Sequence, residues 1–109
     1  NMDDTTYTIA VIAKEKSNPF IDLVGRGCRS MAKRLGVTCL FTGPDHVNAE
    51  AQAAIVRNLI QNKSVDAISM SVINVDVAAS LAEEAYEAGV PFATFDSDVP
   101  NSKRLFYVG

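Results

Sequence analysis

Two short stretches of the chain carry side chains that could recognise a small polar molecule. Asn18-Pro19-Phe20 sets a side-chain amide, able both to donate and to accept, beside an aromatic ring. A sugar shows hydroxyls on its edges and C–H groups on its faces, so amides and carboxylates suit the edge and an aromatic ring suits the face. Asp96-Ser97-Asp98 sets two carboxylates at i and i+2, a pattern that could hold vicinal hydroxyls or a divalent cation. Each stretch also has an ordinary reading. Asn is a common N-cap, Phe20 could anchor a helix, and Asp and Ser are frequent turn residues.

Other groupings of reactive residues do not complete a chemistry. Gly25-Arg26-Gly27-Cys28-Arg29-Ser30 echoes a dinucleotide-binding glycine pattern, but it falls inside a helical period and ends in Ser, whereas that fingerprint must form a strand-to-helix turn. Gly25 and Gly27 read instead as close-packing positions. The first apolar run ends in Lys14-Glu15-Lys16, which offers neither a phosphate cradle nor the acidic cluster of a phosphoacceptor. His46, the one histidine, has no nucleophile signature beside it and reads as a loop residue. Cys28 and Cys39 lack metal-ligand spacing and read as two small buried apolar residues; a disulfide between them would require α-carbons within about 7 Å. No cofactor, no metal site and no catalytic residue is expected.

The two polar stretches need strands that end just before them. Tyr7 to Ala13 reads as a first strand whose apolar run, Ile9 to Ala13, suits a position inside a sheet. Asn18 then offers a cap and Pro19 a first helical residue, after which Ile21, Val24, Cys28, Met31, Ala32 and Leu35 recur at helical spacing, with Gly36 as the stop. Val37 to Phe41 is the second strand. Asn48 caps a second helix that ends near Asn62, with Ile55, Val56, Leu59 and Ile60 as its apolar side. Val65 to Met70 is the third strand, and Asp76 is expected to cap a third helix with Ala78, Leu81, Ala82, Ala85 and Ala88 on one face, stopped by Gly89. Pro91 to Phe95 and Leu105 to Val108 complete the strands.

The predicted fold class is α/β, a mainly parallel, doubly wound sheet of four to five strands with three helices, because each of the first three connections is long enough for a right-handed crossover. Ligands of such sheets bind beyond the carboxyl ends of the strands, which is where both polar stretches fall. Three helices leave part of such a sheet uncovered, as expected of a piece of a larger protein.

At 109 residues, one domain is expected. Thirteen acidic against ten basic residues, with no basic block, disfavour nucleic-acid binding by this segment. The longest apolar run, Ile9 to Ala13, is far short of the roughly 20 residues that span a bilayer, so no direct membrane insertion is expected. Asn-Met-Asp-Asp-Thr-Thr has none of the features of a signal peptide, which leaves a cytoplasmic chain or one whose signal has been removed.

Taken in order, Tyr7-Thr-Ile-Ala-Val-Ile-Ala, Asn18-Pro-Phe20, the run from Gly89-Val-Pro-Phe-Ala-Thr-Phe to Asp96, and Tyr107-Val-Gly109 resemble the opening segment of type I periplasmic sugar-binding proteins, the ribose- and galactose-binding class whose fold is shared by effector domains of lactose-repressor-like regulators. The resemblance covers essentially the whole chain. It implies a flavodoxin-like or Rossmann-like sheet forming an incomplete N-terminal lobe, residues 1–109, of a two-lobed protein whose second lobe is absent from this chain. It also implies that Asn18, Phe20 and Asp96 contact a monosaccharide or related polyol, with Lys14, Ser97 and Asp98 beside them. Ser97 stands where the ribose-binding type has Arg, which removes a two-pronged donor and argues against ribose itself. The implied whole is the periplasmic solute-binding component of an ABC importer, with a membrane permease as partner. The alternatives are a ligand-sensing effector domain of a transcriptional regulator or sensor kinase and, more distantly, a nucleotide-sugar transferase using Asp96 and Asp98 on a metal.

Overall fold

Alternating apolar β-branched runs and helical periods become eight elements in a computed structural model that describes residues 7–16, 19–95, 104 and 107–108. They are β1 (Thr8–Ile12), α1 (Pro19–Leu35), β2 (Thr38–Thr42), α2 (Ala49–Asn62), β3 (Ala67–Ser71), α3 (Val75–Ala88), β4 (Phe92–Phe95) and β5 (Tyr107–Val108). The strands form one sheet in the order β2-β1-β3-β4-β5, with every neighbouring pair parallel. Pro91 has no N–H and joins the ladder only as an acceptor, receiving the Ile68 N–H at 2.9 Å, so β4 begins one residue later than its apolar run.

Period-two alternation divides the sheet between its helices. Ala10 and Ile12 of β1 are wholly buried, and with Ile68, Met70 and Phe92 they form the core against Val56 of α2 and Leu81, Ala82 and Ala85 of α3. On the opposite face, Ile9, Val11, Ser69 and Phe95 look toward α1 across an apolar cleft of about 390 Å³. Helix α1 packs principally on β2. Its apolar stripe is therefore only partly seated: Ala32 is buried, while Met31 and Leu35 are 51% and 67% exposed. The sheet is doubly wound, with one face covered and the other half covered, as the helix count implies.

Local signals set most boundaries. The Asn48 side chain accepts the Ala51 N–H at 2.9 Å, and Gly36 and Gly89 take the left-handed conformation that ends α1 and α3. The third helix corrects one expectation: its N-cap is Asn74, whose side chain accepts the Val77 N–H at 3.0 Å, and Asp76 lies in the first turn. Both residue types suit a cap; Asn74 holds the position because its backbone is extended (φ −124°, ψ 124°) while Asp76 is already helical.

The two glycines of α1 behave oppositely. A Cβ on Gly25 would lie 2.8 Å from the Phe41 ring, so this glycine permits the close approach of α1 to β2, whereas a Cβ on Gly27 would meet nothing within 4 Å. Gly27→Ala is expected to stabilise the protein by about 0.5–1 kcal/mol through helix propensity. Gly25→Ala is expected to destabilise it by about 1–2 kcal/mol, overpacking against Phe41 outweighing the same gain. Denaturant midpoints of the two variants moving in the same direction would contradict this packing.

Candidate ligand site at the carboxyl edge of the sheet

In the order β2-β1-β3, the chain leaves β1 toward one side of the sheet and returns to its other side, so the strand order reverses between β1 and β3. A reversal of this kind opens a crevice at the carboxyl ends, between loops that run to opposite sides, and this is the usual ligand position in open α/β sheets. The described residues at this edge are 13–16 after β1, 43–48 after β2 and 72–74 after β3.

Short contacts fix the start of the loop after β1. The Ala13 N–H donates to the Thr42 carbonyl at 2.8 Å, and the Lys16 N–H donates to the Pro44 carbonyl at 3.0 Å. Gly43 allows this fit, since a Cβ there would sit 2.8 Å from the Ala13 carbonyl oxygen. The Lys16 ammonium and Asp45 carboxylate lie 3.7 Å apart at exposed positions, so this pair adds little to stability.

From the α2 side, Gln52 reaches the same place. Its side-chain amide donates to the Ala13 carbonyl at 3.1 Å and to the Ser71 carbonyl at 2.7 Å, and the residue is 2% exposed. Sequence reading passed over Gln52, yet a signal was present. It stands four residues before Val56 on the apolar stripe of α2, where a polar side chain must find partners.

Of the residues expected at the site, Lys14 is half-buried in the loop after β1. Asn18, Asp96, Ser97 and Asp98, together with the Phe20 side chain, lie outside the described residues. The residues that flank them are described: Pro19 opens α1, and Phe95 closes β4 at the carboxyl edge. His46 is exposed in the loop before α2. Among the described residues, no three His, Cys, Asp or Glu side chains gather as a metal site, and no helix is long and apolar enough to cross a membrane.

The cysteines overturn their first reading. Cys28 of α1 and Cys39 of β2 form a disulfide with α-carbons 5.9 Å apart. Helical spacing turned Cys28 toward the sheet as expected, but the neighbour it meets there is Cys39, not an apolar side chain. The bond ties α1 to β2 beside the apolar cleft. That cleft lies under the helix and not at the carboxyl edge, and its lining of Ile9, Val11, Val24, Met31, Leu35 and Phe95 suits hydrocarbon, not hydroxyls.

A parallel sheet whose strand order reverses between β1 and β3 is the open α/β arrangement that binds ligands at its carboxyl edge. Residues 9–109 match the periplasmic binding protein domain, and the chain belongs to that family, one of binding proteins and not of enzymes. GanP, a glucose-galactose binding protein from Geobacillus stearothermophilus, is similar at 28% identity and a TM-score of 0.91, over 97% of this chain and 38% of GanP. An ABC transporter solute-binding protein from Burkholderia graminis, in complex with D-arabinose, is similar at 32% identity and a TM-score of 0.84, over 93% of this chain and 34% of that one. XylFII in the XylFII–LytSN complex is similar at 28% identity and a TM-score of 0.90, over 96% of this chain and 38% of that one. The chain thus spans less than two fifths of the length of these relatives.

Proposed function

We propose that residues 1–109 are the N-terminal lobe segment of a two-lobed solute-binding protein, which holds a monosaccharide or related polyol between its lobes and delivers it to the membrane permease of an ABC importer. The observation that carries this reading is the reversal of strand order between β1 and β3 in a chain of the periplasmic binding protein family. Asn18 and Phe20 precede or open α1, and Asp96 follows β4, so Asn18 and Asp96 are assigned to the sugar's hydroxyl edge and Phe20 to its face. Lys14, Ser97 and Asp98 complete the set.

Three further observations support the reading. The glucose-galactose binding and D-arabinose-bound relatives are sugar binders of the same fold. The half-covered face of the sheet has room for an apolar segment from the remainder of a protein of the relatives' length. The Cys28–Cys39 disulfide fits an oxidising compartment outside the cytoplasm. In the whole protein, the solute would bridge the two lobes and favour the closed hinge state, which the permease would then read. The XylFII–LytSN complex favours one second reading, ligand sensing relayed to a protein partner.

Calorimetric titration of the full-length protein against monosaccharides, polyols, divalent cations and nucleotide-sugars tests the assignment. A sugar or polyol is expected to bind, and Asp96→Ala or Asn18→Ala to weaken it by about ten- to a hundredfold, the loss of one or two hydrogen bonds to a buried ligand. Binding of nucleotide-sugars only with a divalent cation would overturn this reading in favour of a transferase.

A further inference from the structure

Gln52 is the one strongly polar side chain among the fully buried residues of α2, and its amide spans the point where the strand order reverses. The parallel ladder between β1 and β3 ends with the Ile12–Met70 pair. One residue further on each strand, the carbonyls of Ala13 and Ser71 both accept from the Gln52 amide, at 3.1 and 2.7 Å. A side chain from the covering helix therefore replaces the next rung of the ladder. Both bonds are shielded from water, since Ala13, Ser71 and Gln52 are all at most 2% exposed.

The carbonyls so held are the roots of the two loops that border the crevice, the one beginning at Lys14 and the one at 72–74. On its other side, the first root is fixed to β2 by the Ala13–Thr42 hydrogen bond and the Gly43 contact. We infer that Gln52 is a positioning residue for the ligand edge: it sets the separation of the β1 and β3 loop roots and thereby the width of the crevice. Without the amide, the two buried carbonyls would lose the bond that joins them across the strand ends, which would be free to separate or admit water. The consequence for affinity rests on the proposed sugar-binding function. The effect on the loop roots does not.

Gln52→Met keeps the length of the side chain and removes both N–H donors. Its control is Val56→Ala, a wholly buried position one turn along the same helix whose side chain has no hydrogen-bond donor to offer either carbonyl. In the full-length protein without ligand, amide exchange followed by mass spectrometry is expected to speed about tenfold in peptides covering 13–16 and 71–74 for Gln52→Met. In Val56→Ala, exchange there should change only as much as in the rest of the lobe. The affinity for whichever sugar the wild type binds should weaken about tenfold in Gln52→Met and less than about threefold in Val56→Ala, at a temperature where both are folded. Unchanged exchange at both loop roots, or equal effects of the two substitutions, would overturn the inference. If Gln52→Met does not accumulate, Gln52→Asn, which keeps the amide but falls one methylene short, is held to the same thresholds. Should the wild type bind no sugar at all, the proposed function fails, and the exchange measurement still decides the role of Gln52.

Discussion

Reduction of the Cys28–Cys39 disulfide, or its removal by Cys28→Ser with Cys39→Ser, is expected to destabilise the protein by about 3 kcal/mol. The bond closes a short loop, its two ends 11 residues apart, and the chain-entropy model assigns about that value to a loop of this size. Packing offers little compensation. Helix α1 rests principally on β2, beside a cleft of about 390 Å³, and Met31 and Leu35 of its apolar stripe line that cleft and stay more than half exposed. With the bond open, Ala32 and the Gly25–Phe41 approach remain as anchors among the described side chains of α1. The urea midpoint of the full-length protein, measured with and without a thiol reductant, should fall by roughly 1–2 M, taking a slope of about 2 kcal/mol/M. Coincident midpoints would show that the disulfide contributes nothing to the fold. On the proposed function, in which Asn18 and Phe20 contact the sugar, reduction should also weaken sugar binding, because α1 begins at Pro19, between them in sequence; a titration in reductant would reveal this.

Phe92→Ala is expected to cost about 3–5 kcal/mol, the range for deleting a buried aromatic side chain and leaving a cavity. Phe92 is 2% exposed on β4, paired in register with Ile68 of β3, and belongs to the core built on Leu81, Ala82 and Ala85 of α3. The buried alanines of that helix offer short side chains, so few neighbouring atoms can move in to fill the space. Leu23→Ala supplies the contrast: Leu23 is 64% exposed, and its truncation should change stability by no more than about 0.5 kcal/mol. A loss below about 1 kcal/mol for Phe92→Ala in denaturant titration would mean that the covered face is not the tightly packed one.

These expectations separate two kinds of information in the chain. The bounds of α1 follow from Pro19 at its start and Gly36 at its end, and the observed helix matches them residue for residue. The face of α3 that is buried, Ala78, Leu81, Ala82 and Ala85, is the one its spacing indicates. Strand ends shift by one or two residues where backbone pairing, and not side-chain type, sets the limit; Thr42 and Ser71 extend β2 and β3 because their partners in the ladder do. The cap of α3 moved from Asp76 to Asn74 because two acceptable residues compete within three positions, and composition cannot choose between them.

By itself, then, the sequence determined the α/β class, the parallel sheet, the bounds of α1 and α2, the helix faces, and the likeness to the sugar-binding periplasmic family. All of these rest on signals that act within a few residues: caps, periods, glycine stops and ordered motifs. Only the tertiary structure decided the strand order that opens a crevice between β1 and β3, the pairing of Cys28 with Cys39, and the reach of Gln52 to Ala13 and Ser71, 39 and 19 residues away. Each of these depends on where a crossover returns the chain, and a contact between distant residues exists only once the whole sheet has placed both partners within bonding distance.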